Sequence, residues 1–358
     1  MPSLKEIKGR INSISSTLAI TSAMKMVASA KLQKAQMAIQ NMLPYERRLY
    51  SMLLDLMGAM NISAAASEDG SVRGSGSAER GFDQSGDRLS LSNRHDLAGM
   101  DGAYSLMAQR EVRKVAIVAF ASNSSLCGAF NSNAIREATA VINEYRASGL
   151  GDADITVYSV GRKMAEAMKK LGFPSPADFT KMSDSPSYDA ASALAQELFD
   201  GFVSGRFDKV ELVYNHYKST SSQPTTRQTY LPLSLADATA DLQAGKITDS
   251  ASETDTNRVA EPVGAPVVRQ GSPTTEDLIV EPSKEALIAT LLPKVVRLRI
   301  FTTLLDSAAA EHAARTVAMQ LATDNGNDLL QELTLEYNKG RQQKITSEIL
   351  DLVGGSMQ

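Results

Sequence analysis

Three histidines and one cysteine are the side chains best suited to metal ligation or nucleophilic attack, and their positions argue against both. Metal sites draw on His or Cys ligands paired a few residues apart. His95, His216 and His312 stand far apart, and none has a second His or a Cys at such a spacing. Cys127 follows an apolar segment in Ser124-Ser125-Leu126-Cys127-Gly128, where a doubly wound fold can place a nucleophile. No histidine lies near enough to serve as its base, so a small buried thiol is the expectation. One cysteine excludes an internal disulfide framework and suits a reducing compartment. Gly74-Ser75-Gly76 follows no strand pattern and is no dinucleotide fingerprint. Gly161-Arg162-Lys163, opening a helix after a strand, could hold an anion at the helix N-terminus. The chemistry-bearing residues thus yield no catalytic constellation, no metal site and no cofactor site.

The elements that would position these residues alternate strand and helix. Val112–Ala121 reads as a near-continuous apolar strand, followed by a helix capped by Ser132 and running to about Ala147, and a strand at Ile155–Val160. Helices follow at Arg162–Leu171 and Tyr188–Val203, then a strand at Lys209–Tyr217 and an extended segment at Thr226–Leu233. Such alternation predicts a mainly parallel sheet with right-handed crossovers, a Rossmann-like α/β domain over residues 111–233.

The two ends read differently. From Ser3 to about Met60 there is one interior proline, Pro44, and Ser3 and Glu6 are spaced as a capping box. Ile7, Ile11, Ile14, Leu18, Thr21, then Ala28, Leu32, Ala35, Ile39 and Met42 alternate steps of four and three, with Lys25 in the missing position. A heptad pattern of this kind predicts packing against another helix. Pro44, lacking a donor, should kink or interrupt the helix near Leu43. The last stretch should begin near Pro293, in a first turn, and run to about Val353. There Ile345, Ile349 and Leu352 continue the four-three spacing, and Leu329, Leu330 and Leu333 mark a broader apolar face. The economical arrangement is α/β with a long antiparallel coiled coil of the N-terminal helix (1–60) and the C-terminal helix (282–358), the α/β domain being inserted between them.

Two stretches interrupt this plan. Residues 61–110 hold 9 Ser and 7 Gly with only Phe82 and Tyr104 to anchor a core, and residues 234–281 hold 9 acidic against 3 basic residues and no aromatic. Both read as flexible insertions. A net charge of -4 argues against nucleic acid as a partner. The longest purely apolar run, Val115–Ala121, is far below the roughly 20 residues of a membrane span. The N-terminus lacks the apolar run of a signal peptide, so cytoplasmic residence is expected. Up to residue 35 the first helix carries 6 basic residues against the single acid Glu6, on a chain that is negative overall. A basic helix of this length predicts an acidic partner surface.

Both termini carry long ordered strings. Ile7-Lys8-Gly9-Arg10-Ile11 and Ile20-Thr21-Ser22-Ala23-Met24-Lys25-Met26-Val27-Ala28 open the chain. Glu311-His312-Ala313-Ala314-Arg315, Met319-Gln320-Leu321-Ala322-Thr323-Asp324-Asn325 and Tyr337-Asn338-Lys339-Gly340-Arg341-Gln342-Gln343-Lys344-Ile345-Thr346-Ser347-Glu348-Ile349 close it. Together they closely resemble the opening and closing helices of the F-type ATP synthase gamma subunit family, in its bacterial form. Leu126-Cys127-Gly128-Ala129-Phe130-Asn131, Val213-Tyr214-Asn215 and Glu281-Pro282-Ser283 extend the resemblance across the chain except the two insertions.

The resemblance implies a non-catalytic central-stalk rotor. It would stand among alpha and beta subunits, with its foot on the epsilon subunit and the membrane ring of c subunits, peripheral to the cytoplasmic face of the cell membrane. It would couple proton flow to ATP synthesis or hydrolysis on the catalytic subunits. Carried over by motif, Lys25 and Met26 would lie nearest an acidic loop of a catalytic subunit, with Gln342, Thr346 and Glu348 forming a polar contact higher up. The chain departs from the family in having Asn123-Ser124-Ser125 where Asp-Arg-Gly is usual, which removes the charged pair that would fix that turn. Thiol regulation, known in chloroplast relatives, needs a second cysteine. Two other readings remain: an α/β enzyme with helical dimerisation arms, which predicts a phosphate-binding glycine loop after a strand, and a structural coiled-coil adaptor, which does not require matched strings at both ends.

Overall fold

A computed structural model describes residues 3–59, 106, 110–233 and 284–356. The insertions read at 61–110 and 234–281 therefore lie outside the described residues, apart from Leu106 and Arg110.

Helix α1, Leu4–Ala59, starts on the expected capping box: the Ser3 backbone N–H donates to Glu6 Oε2 at 3.0 Å and the Glu6 N–H to Ser3 Oγ at 3.3 Å. Contrary to expectation it runs unbroken through Pro44. The Pro44 ring is exposed, so water can reach the carbonyl it leaves unpaired, while buried Leu49, Tyr50, Leu53 and Leu56 hold the following turns in place.

The sheet contains β1 (Val115–Phe120), β2 (Ile155–Val160), β3 (Lys209–Asn215) and β4 (Thr225–Leu231) in the order β2-β1-β3-β4. The first three are parallel, and β4 is antiparallel to β3. The connecting helices are α2 (Phe130–Ala147), α3 (Arg162–Lys170), the short α4 (Thr180–Asp184), which the sequence pattern misses, and α5 (Tyr188–Val203). Ser132 does not cap α2. The helix starts three residues earlier, after Ala129, and Ser132 Oγ instead donates to the Ala129 carbonyl at 3.0 Å.

The final helix, α6, spans Lys284–Ser356, so Pro293 lies inside it and not in its first turn. Buried Ile288, Leu291 and Leu292 explain the earlier start: the turns before the proline are fixed by packing on the sheet. One face of the sheet, with Ala116, Val118, Phe120 and Leu212, packs against α5, the first half of α6 and the end of α1. The other, with Ile117, Ala119 and Val157, packs against α2 and α3. The result is a mixed α/β fold whose mostly parallel four-stranded sheet carries two long terminal helices.

Those helices run antiparallel. Tyr50 bonds to Arg299, Glu46 to Thr302, and Thr21 to Thr323, while Leu18 and Leu4 lie against Gly326 and Gly340. Every position of the α1 seam expected from the sequence, Lys25 included, is buried or half-buried. The facing positions on α6 are Met319, Thr323, Gly326, Leu330, Leu333, Tyr337 and Gly340, again in steps of four and three. Leu329, expected on this face, is exposed.

Candidate interaction surface of the paired helices

In a doubly wound sheet, ligands bind in the crevice outside the carboxyl ends of the strands, where the strand order reverses. Here that place is beside β1, at the turn Ser122–Ala129, and α6 fills it. Arg315 Nη1 donates to the Ser125 carbonyl at 2.8 Å, and Ala310 packs on Cys127 and Phe130. The gap remaining between Phe120, Val160, Ser307 and Glu311 is about 10 Å³, room for roughly one water. Cys127 is 1% exposed, so the sequence's simpler reading of a buried thiol stands. Its sulfur accepts from Asn131 Nδ2 at 3.1 Å.

The charged pair missing from Asn123-Ser124-Ser125 is replaced from outside the turn. Arg162 donates from its guanidinium to the Asn123 carbonyl at 2.6 Å, and Arg315 holds Ser125. Neighbouring contacts also occupy the turn Gly161-Arg162-Lys163, which could have held an anion. The Arg162 N–H is taken by Asn123 Oδ1 at 2.8 Å and the Lys163 N–H by the Ser122 carbonyl at 3.2 Å.

A larger cavity of about 300 Å³ opens at the amino ends of the strands, between Tyr158, Phe207, Lys114, Glu197 and Arg206. This is the end opposite to the one that doubly wound folds use. The Tyr158 hydroxyl donates to Glu197 Oε1 at 3.0 Å, and burial, with the neighbouring Glu197, pushes its pKa up. No group of three or more His, Cys, Asp or Glu side chains able to hold a metal occurs among the described residues. His216 pairs with Asp306 and His312 feels the charges of Lys31 and Arg315, while His95 and Gly74-Ser75-Gly76 lie outside the described residues.

Two polar clusters tie the parts together. Glu211, 1% exposed, receives Arg227 Nε at 2.6 Å, Lys209 Nζ at 2.7 Å and the Tyr145 hydroxyl at 2.6 Å. Burial alone would raise its carboxyl, but these three donors outweigh burial and hold it below the usual range. Glu311 pairs with Arg315 at 2.6 Å, yet burial wins there and its carboxyl is raised.

The outer surface of the helix pair carries exposed basic and apolar side chains. Lys5, Lys8, Arg10, Lys31 and Lys34 are exposed on α1, and with them Ile20, Met26, Val27 and Met37. Lys25 is half-buried in the seam and forms no ion pair among the described residues, whereas its neighbour Met26 is 68% exposed. Gln342, Thr346 and Glu348 do not join them. Thr21, one turn from Lys25, bonds to Thr323, and Gln342 lies about 28 Å of helix further on. Past Gly340, which meets Leu4, α6 has no partner helix among the described residues, and residues 341–350 are all exposed. Ile345, Ile349 and Leu352 thus do not continue the seam as their spacing implied, because α1 has ended. Thr346 donates to the Gln342 carbonyl at 2.9 Å, and Glu348 lies 3.7 Å from Lys344. No helix is long and apolar enough to cross a membrane among the described residues.

Comparison with known proteins agrees with this reading of the ends. A family model described as ATP synthase matches residues 3–357. The chain is 48% identical to the ATP synthase gamma chain of Phocaeicola vulgatus over 100% of both chains, and 45% identical to that of Bacteroides thetaiotaomicron, again over 100% of both. Among solved structures it is similar in fold to a chain of the rotor of Euglena gracilis mitochondrial ATP synthase, with a TM-score of 0.52, 19% identity and coverage of 96% of this chain and 98% of that one. Matched from end to end by full-length relatives of one name, this chain belongs to the ATP synthase gamma-chain family.

Proposed function

We propose that the chain is the central-stalk rotor subunit of a proton-translocating F-type ATP synthase. It couples proton flow through the membrane ring to conformational change in the catalytic subunits and makes no bonds itself. The observation that carries this reading is the pair of facing four-three seams, which join the two ends of the chain into one shaft while α6 closes the crevice where a doubly wound enzyme would work. Steps of four and three with a period of 3.5 favour left-handed winding, so the shaft is a coiled coil.

A shaft of two unlike helices has no threefold axis. It presents a different face to each of three chemically identical catalytic subunits and favours a different conformation in each. Because coupling is reciprocal in free energy, ion flow that turns the shaft releases ATP, and ATP hydrolysis turns it backward. Lys25 and Met26 meet the acidic surface of a catalytic subunit. The long Lys25 stem lies in the seam while its ammonium reaches past it. Gln342, Thr346 and Glu348, on the unpartnered tip, make the polar contact with the upper part of the alpha and beta ring. The sheet domain, residues 111–233, forms the foot with the epsilon subunit and the c ring, at the cytoplasmic face of the cell membrane.

Affinity purification of the tagged chain from membranes tests the assignment. Large nucleotide-binding subunits and ring subunits should copurify as one peripheral complex. Recovery of the chain alone, or as a homodimer, overturns it.

A further inference from the structure

The loop between β3 and β4, residues 216–224, touches both long helices at one level. His216 Nδ1 lies 2.7 Å from Asp306 Oδ2, and the Tyr217 N–H donates to Asp306 Oδ1 at 2.9 Å, so one carboxylate on α6 holds two successive loop residues. The Tyr217 hydroxyl accepts a hydrogen bond from Gln36 Nε2 on α1 at 2.6 Å. The Tyr217 ring packs against two small clusters, one joining Leu32 and Ile39 of α1 to Ala309 and Ala313, the other joining Cys127 and Phe130 to Ala310. Alanines at these α6 positions leave room for the ring between the helices and the turn after β1. The loop is stiffened by its own bonds, His216 N–H to the Pro224 carbonyl at 2.9 Å and Ser222 N–H to the Ser219 carbonyl at 3.2 Å.

Helix α1 also meets the sheet domain near Tyr50, about 21 Å of helix beyond Gln36. A rod held at one level can pivot, whereas a rod held at two levels cannot roll or tilt without breaking contacts at one of them.

We propose that Tyr217, seated on Asp306 and tied to Gln36, is a positioning residue that fixes the angle of the helix pair relative to the sheet domain and so passes torque between them without slip. This inference rests on the rotor reading above. The polar part of the tie to α1 is a single hydrogen bond of a ring already packed on Leu32 and Ile39, so it can be cut without removing the packing.

The test uses the whole complex, with the catalytic subunits immobilised and a bead attached to the sheet domain through Lys170→Cys, since buried Cys127 does not compete for the label. Angular fluctuation of the bead is recorded with rotation stalled. Tyr217→Phe and Gln36→Ala each cut the polar tie to α1 and leave the ring packed on Leu32 and Ile39, so the stiffness between foot and shaft should fall, by less than half, while hydrolysis without load is unchanged. Gln36→Glu should keep the original stiffness, because the carboxylate accepts from the Tyr217 hydroxyl. Unchanged fluctuation in Tyr217→Phe and Asp306→Ala overturns the proposal, and so does an equal softening in Tyr145→Phe, which loses a bond on the other face of the sheet. A wild-type bead that never turns with ATP refutes the rotor reading instead.

Discussion

Leu18 of α1 lies over Gly326 of α6 so closely that a β-carbon on Gly326 would stand 2.7 Å from Leu18 Cδ2 and 3.1 Å from its Cγ. The helices approach here because one of them has no side chain. Gly326→Val should push them apart and cost roughly 1–3 kcal/mol by overpacking. Leu18→Ala in the same chain should restore much of that loss. Chemical denaturation of the single and double variants measures both, and simple additivity of the two losses would contradict the contact.

Gly161 sits at φ 98°, and a β-carbon there would be 2.0 Å from the Ala121 carbonyl oxygen. That neighbour is backbone and cannot swing away. Gly161→Ala should therefore cost at least about 3 kcal/mol and loosen the end of β1 against α3. Thermal unfolding of the variant checks this.

His312 gives the shaft an acid sensitivity. Burial, with help from Lys31 and Arg315, lowers its pKa from 6.5 to about 4. Between those values the unfolded chain binds a proton that the folded chain does not, so stability falls as pH drops from 6.5 toward 4 and levels off below. Glu311, whose carboxyl is raised and which pairs with Arg315, also titrates beside it. After allowance for partial exposure, the His312 share is on the order of 2 kcal/mol. His312→Gln should flatten this part of the pH profile of unfolding, and an unaltered slope would contradict it.

Lys25→Glu should weaken coupling through like-charge contact with an acidic loop of a catalytic subunit. ATP-driven proton pumping in reconstituted vesicles should fall. Pumping equal to that of the unaltered complex would remove Lys25 from the contact surface.

The sequence made one half of the shaft legible and hid the other. Ile7, Ile11, Ile14, Leu18 and Leu32 announce the α1 seam by type, whereas on α6 only Leu330 and Leu333 stood out, and Thr323, Gly326, Tyr337 and Gly340 between and beyond them follow no apolar pattern. Apolar Ile345, Ile349 and Leu352 misled because spacing alone does not reveal where the partner helix ends. Pro44 and Pro293 misled because local backbone preference was overruled by long-range packing. The alternation of strand and helix in the central domain was readable from apolar patterning. The closure of the crevice was not, since Arg315 and Ser125 lie 190 residues apart. Separations of 181 and 89 residues likewise hid the meeting of Tyr217 with Gln36 and Asp306.

Rotation of the sheet domain within an immobilised complex puts the shaft itself to the question. With a bead on the sheet domain and ATP supplied, the bead should turn in one direction with three dwells per revolution, because one asymmetric shaft addresses three catalytic subunits in succession. A bead that stays fixed while ATP is hydrolysed at its normal rate would show that the paired helices are not an axle.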